Sequence, residues 1–157
     1  MEPQDASAPA AEQQAPPPEG RRAVTIHRTG PTRYRAVNAR GGEIEFSHGA
    51  DEQFTPVELL LVAVGGCTSV DVDILTSRRA EPESFEVLVE GEKVRDDEGN
   101  HLSGVEVTFR IRFPEGGAGD EARRVLPDAV QRSHERLCTV SRTVELPTPV
   151  EFRIAGD

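Results

Sequence analysis

The chain contains no Trp, 4% aromatic residues and two cysteines among its 157 residues. So few aromatics exclude a stacking platform for single-stranded nucleic acid, which needs successive rings to hold successive bases. Two cysteines are too few for the disulfide framework of a small secreted protein. Basic residues are also short, 18 against 28 acidic, for a formal charge of −10. That field repels phosphate backbones and anionic bilayers, so neither nucleic acid nor membrane is an expected partner, and a small uncharged substrate suits it better. No segment approaches the roughly 20 apolar residues that a membrane span requires. No Lys or Arg precedes Arg21 and no apolar stretch lies before it, so no secretory signal is expected and the address reads as cytoplasmic. Thiols stay reduced there, and a cysteine pair is more often catalytic or metal-binding than structural.

What is present is organised as one domain. Residues 1–20 are mainly Ala, Pro, Gln and acidic side chains without an apolar pattern, and read as a disordered tail. The folded domain is expected over 21–157. Val24 and Ile26 alternate with polar neighbours, Arg33–Ala39 follows a Gly30-Pro31 turn, and Glu43–Ser47 follows Gly41-Gly42, which predicts a three-stranded antiparallel meander. Thr55-Pro56 then marks a helix start, with Glu58 at the capping-box position. The helix is expected to run to about Arg79, with Arg78 and Arg79 in its last turn. Its first half is apolar all round and should be buried on every side. Phe85, Val87 and Val89, and then Val105, Val107, Phe109, Ile111 and Phe113, alternate with charged residues on either side of a turn at 96–100, a hairpin with one wet face. A helix over Asp120–Leu137, kinked at Pro127, a short helix after Cys138 and a closing strand at Thr148–Ile154 complete the order βββ-α-ββ-α-β. Clustered strands make the class α+β. So apolar a helix exceeds what one sheet face covers, which points to a homodimer.

The chemistry centres on Cys67 and Cys138. Gly65 and Gly66 precede Cys67 inside the helix, at about 1 kcal/mol each relative to Ala, so a close backbone approach or room beside the thiol should compensate. A short helix beginning at Thr139 would set Cys138 near its N-terminus, where the dipole and free N–H groups favour a thiolate. The residues alone leave both cysteines open between core packing and reactivity. His134, four residues before Cys138, completes a candidate zinc set with Cys67. The short-spaced ligand pairs of structural zinc sites are missing, however, and no metal is expected. Glu58 reads first as a capping partner, and Arg33, Arg35 and Arg40 as charges on the meander.

The words around the cysteines carry a resemblance. Thr55-Pro56-Val57-Glu58-Leu59-Leu60-Leu61-Val62-Ala63-Val64-Gly65-Gly66-Cys67-Thr68-Ser69-Val70-Asp71-Val72 resembles the first cysteine motif of the OsmC/Ohr family, the osmotically inducible and organic hydroperoxide resistance proteins. Ser133-His134-Glu135-Arg136-Leu137-Cys138-Thr139-Val140-Ser141-Arg142-Thr143-Val144 is similar to its second motif. The Gly-Gly-Cys-Thr and Val-Ser-Arg wording is closest to the OsmC-like branch typified by YhfA. The resemblance implies antiparallel sheets packed on a long buried central helix, in an intertwined homodimer with active sites at its interface. It implies a thiol peroxidase without haem or metal, in which Cys67 attacks an organic hydroperoxide, Cys138 resolves to a disulfide, and Arg33 and Glu58 assist. Leu60, Leu61 and Val64 would wall the substrate pocket, and an external dithiol reductant protein, of lipoyl type, would restore the thiols. In the peroxidase branches the helper Glu follows the Pro directly; here Val57 stands there and Glu58 is next. The alternative within the same fold is a binding protein for a small apolar ligand.

Overall fold

Alternation of apolar and charged residues produces two antiparallel sheets, one from each strand cluster. The computed structural model describes residues 19–156, so the expected tail over 1–20 lies almost wholly outside the described residues. The chain divides into two units, the first ending at Pro56 and the second beginning at Val57.

The first unit carries β1 (Val24–Gly30), β2 (Arg33–Asn38) and β3 (Glu43–Ser47), ordered β1-β2-β3. Tyr34 pairs with Phe46 across β2 and β3, and their rings stack with centroids 5.4 Å apart. The β1–β2 turn holds Thr32 at φ 56, a left-handed conformation unusual for a β-branched residue. Its hydroxyl lies 3.0 Å from His48 Nδ1, a local partner at that turn. Val24 and Ile26 leave their side chains exposed.

The second unit is built on α1 (Pro56–Ser77), the hairpin β4 (Ser84–Asp96) and β5 (Gly99–Arg112), and α2 (Gly117–Arg132). The hairpin turns on Asp97-Glu98, with Asp96 Oδ1 accepting the Glu98 N–H at 2.9 Å and Gly99 at φ 121. Phe85, Val87 and Val89 face Ile111, Phe109 and Val107 on its half-buried side. Glu86–Arg110 at 2.8 Å and Glu83–Arg112 at 2.9 Å span the wet side. Helix α1 meets this hairpin at Gly65, and Thr68, Val72 and Thr76, spaced by three or four residues from it, continue a buried stripe along the helix. Gly65 makes the contact close: a Cβ there would collide with Val89 Cγ2. Gly66, facing away, has open space. The compensation expected for the glycine pair therefore exists at one of the two. The buried hydroxyls of Thr68 and Thr76 donate to the carbonyls of Val64 and Val72 at 3.4 and 2.9 Å, so they enter the stripe without lost hydrogen bonds.

Several expectations change. The first half of α1 is not buried on every side: Val57, Leu60 and Val62, and later Val70 and Ile74, are exposed. Among the described residues of this unit, one hairpin and α2 leave part of the helix uncovered. By length and composition α1 is apolar enough to cross a membrane, because Gly, Thr and Ser add no charge between its two apolar halves. It ends at Ser77, so Arg78 and Arg79 lie beyond it; the Arg79 guanidinium still reaches back to the Leu75 carbonyl at 3.0 Å. Helix α2 runs through Pro127, whose exposed position leaves the freed carbonyl to water, and the break falls at Ser133 instead. Residues 148–154 form no strand. Pro147 and Pro149 remove two donors, no sheet edge takes the segment up, and Phe152 and Ile154 are 92% and 101% exposed.

The glycine pair yields a paired test. Gly65→Ala should lower the melting temperature despite a gain of about 1 kcal/mol in helix propensity, because Val89 is too stiff to move aside. Gly66→Ala should leave it unchanged or raise it. Thermal denaturation of the two variants checks this, and a Gly65→Ala protein as stable as wild type would contradict the close packing.

Candidate active site

Two helical discontinuities bring the cysteines together. The last turn of α2 passes into a π-helical segment, Ser133–Leu137, in which the Cys138 N–H bonds the Ser133 carbonyl at 2.8 Å, five residues back. The wider turn ends the helix and leaves Cys138 extended, at φ −74 and ψ 101. Cys138 then serves as N-cap of α3 (Thr139–Glu145), its sulfur accepting the Ser141 N–H at 3.3 Å with the Ser141 hydroxyl 3.2 Å away. The short helix expected after Cys138 is thus present, and its thiol does the capping that an oxygen usually performs.

A part-buried bond ties helix α1 to this segment. The Ser133 hydroxyl, fully buried, donates to Asp71 Oδ2 at 2.7 Å. Asp71 lies four residues after Cys67, one turn along the same face, so the bond sets Cys67 over Cys138. The half-buried Cys67 lies close enough to the Val140 N–H and to Cys138 for both to influence its ionisation, and no disulfide joins the two cysteines.

The two thiols ionise differently. Burial pushes Cys67 up; the Val140 N–H opposes this, while the proton shared with Cys138 and the charges of Cys138 and Asp71 reinforce it. Burial also works to raise Cys138, which is 2% exposed. The hydroxyl and N–H of Ser141, the Thr68 hydroxyl and the Cys67 thiol outweigh it and hold Cys138 below the ordinary thiol range.

The other expected site residues are dispersed. Leu60 and Val64 share the Cys67 face of α1, Leu60 exposed and Val64 buried, whereas the half-buried Leu61 stands one turn before Gly65. Glu58 stands in the first turn of α1. Nine residues separate it from Cys67 (67 − 58), about 13 Å of helix rise, beyond contact within one protomer. Arg33, the first residue of β2, pairs with Asp51 at 2.9 Å in the N-terminal unit. Asp51 is in turn held by the Ser47 hydroxyl at 2.6 Å and the Gln53 N–H at 3.0 Å, and these bonds, with Arg33, keep its carboxyl below the usual carboxylate range. His134 is exposed and lies 3.5 Å from Glu145. Asp71, Ser133, Ser141 and Thr68 were not singled out as site residues. Asp71 and Ser133 carried no local signal, since their bond joins positions 62 apart. Ser141, three residues after Cys138, had the spacing of a cap interaction.

An α+β fold with a cysteine pair at a helix N-terminus defines a thiol-bearing class. The chain belongs to the OsmC-like family, whose model matches residues 49–153 and so includes both cysteines. An uncharacterized protein of Mycobacterium tuberculosis is 33% identical over 131 residues, 82% of this chain and 93% of the relative. The OsmC-like protein of unknown function from Vibrio cholerae has a similar structure, with a TM-score of 0.65, 15% identity, and coverage of 80% of this chain and 94% of that one. An organic hydroperoxide resistance protein OsmC from Legionella pneumophila superposes with a TM-score of 0.54 at 16% identity, covering 81% and 90%. At these identities the structural likeness is one of fold.

The Ser133–Asp71 bond sets the thiol alignment. Ser133→Ala leaves a half-buried carboxylate short of a donor and should cost about 2 kcal/mol of stability, and it should slow diamide-driven formation of the Cys67–Cys138 disulfide. A melting curve and thiol counts over time check both; unchanged disulfide formation in a destabilised variant would separate alignment from stability.

Proposed function

We propose that the protein is a thiol-dependent peroxidase that reduces organic hydroperoxides in oxidative-stress defence. The observation that carries this reading is the meeting of Cys67 and Cys138 at one helix N-terminus. Attack by the Cys67 thiolate on R–O–O–H forms a sulfenic acid and expels an alkoxide. Cys138, already in contact, condenses with the sulfenic acid to a disulfide before further oxidation. An external dithiol, of lipoyl type, then reduces the disulfide by exchange. The reaction so written uses the chain's own sulfurs and no prosthetic group, and it suits a reducing cytoplasm. Leu60 and Val64, beside Cys67, favour an apolar R group over hydrogen peroxide.

The working unit in this reading is a homodimer. The exposed apolar residues of α1, together with Val150, Phe152 and Ile154, are the surface that a second copy would cover. Glu58, too far along α1 to help its own Cys67, would act from the second copy. Arg33 supplies the guanidinium that supports the thiolate.

One observation favours a second reading, an apolar-ligand binder without turnover: Asp51 already neutralises Arg33. The two separate cleanly. One equivalent of cumene hydroperoxide should remove two hydrogens from the wild-type chain, mapped by mass spectrometry to a Cys67–Cys138 disulfide. Cys67→Ser should abolish hydroperoxide consumption with dihydrolipoamide, and Cys138→Ser should block the internal disulfide. Two unchanged thiols in the wild type would establish the binder, and undiminished turnover in Cys67→Ser would sink the peroxidase.

A further inference from the structure

The geometry points to Ser141 as the residue that positions Cys138 for resolution: its hydroxyl takes the thiol hydrogen, and its N–H takes a sulfur lone pair. This rests on the peroxidase reading of the same two sulfurs. The Cys138 backbone is pinned on both sides. Its N–H bonds the Ser133 carbonyl at 2.8 Å, and its carbonyl accepts the Arg142 N–H at 3.2 Å. What the backbone leaves free is rotation of the side chain about Cα–Cβ. Ser141 removes that freedom with two bonds. The Cys138 thiol donates to Ser141 Oγ at 3.2 Å, and the Ser141 N–H donates to Cys138 Sγ at 3.3 Å. This is a variant of a familiar cap. In a capping box the third helical residue reaches back to the N–H of the cap residue. Here that N–H is already spent on Ser133, so the third residue of α3 holds the cap's side chain instead.

The consequence is a sulfur with an assigned orientation. A thiol sulfur can donate its one hydrogen and accept through its lone pairs. Ser141 holds the hydrogen and one pair, which leaves the second pair for the Cys67 sulfur. Burial separates the two thiols in time. Cys138 is 2% exposed and Cys67 is half-buried, so an oxidant reaches Cys67 first. Once Cys67 is a sulfenic acid, the Cys138 sulfur forms the S–S bond as the S–O bond breaks. The proton that Cys138 loses and the hydroxide that Cys67 loses make one water, and the two electrons have already passed to the peroxide. Fast closure matters because a sulfenic acid left waiting is oxidised further. A sulfur held in its attacking orientation closes faster than one that must rotate into it.

Two variants test this. Ser141→Ala keeps the N–H and removes the hydroxyl, and Ser141→Thr keeps both. Prereduced protein receives one equivalent of cumene hydroperoxide, and two rates are followed: peroxide consumption, and closure of the Cys67–Cys138 disulfide by mass spectrometry after acid quench. The ratio of closure to consumption should fall about fivefold in Ser141→Ala, as the loss of one modest hydrogen bond implies, and should return in Ser141→Thr. Dimedone, which traps sulfenic acid, should label Cys67 more heavily in the alanine variant than in wild type. A ratio unchanged in Ser141→Ala overturns the proposal. Equal slowing of both rates leaves the ratio unchanged, marks a merely structural role and overturns it too. Diamide, which forms an adduct on Cys67 that Cys138 must expel, gives the same comparison without a peroxide. A wild type inert to hydroperoxide would overturn the peroxidase reading, while slower expulsion of the diamide adduct in Ser141→Ala would still uphold the positioning of Cys138 by Ser141.

Discussion

A hydrogen bond from the fully buried Ser133 hydroxyl to the half-buried Asp71 carboxylate ties the helix of Cys67 to the segment that ends at Cys138. Helix α1 approaches the hairpin closely at Gly65, against Val89. A charge-assisted bond at 2.7 Å, made by a fully buried serine, ties it to the segment that follows α2. Because Asp71 is one turn from Cys67, holding the carboxylate also holds the thiol.

The π-helical segment supplies the other half. A regular α-helix through residue 138 would have spent the Cys138 N–H on residue 134 and kept the chain helical. The wider turn spends it on Ser133 and frees the chain to restart as α3. Restarting exposes first-turn N–H groups, and the Cys138 sulfur takes one. The opposite shifts of two chemically identical thiols then follow from what surrounds each, Ser141 and Thr68 beside Cys138 and a carboxylate near Cys67.

The surplus apolar surface follows from the same economy of layers. A chain with a two-stranded hairpin can cover one face of a 22-residue helix, and α1 is apolar on more than one. The C-terminal segment repeats the imbalance, with Phe152 and Ile154 alternating along a stretch that no strand pairs. In the N-terminal unit the balance is electrostatic: Arg33 meets Asp51, and Ser47 and Gln53 orient the carboxylate. The guanidinium charge is therefore already shared with a carboxylate.

Local pattern in the sequence determined the strands, the start of α1, the hairpin turn and the short helix after Cys138, because period-two alternation, Thr-Pro caps and Asp/Gly turns act over a few residues. The words around the two cysteines also carried the family resemblance. Tertiary structure decided what depends on distant partners. The closing strand at 148–154 had the alternation but no edge to pair with, and α1 had the apolarity but too few neighbours to bury it. Helix α2 ran on through Pro127 and gave way to the π-helical segment at Ser133, which bonds Asp71. The order of the two thiols was beyond any local reading. Cys67 and Cys138 are the same side chain until folding surrounds one with hydrogen-bond donors and sets the other beside a carboxylate.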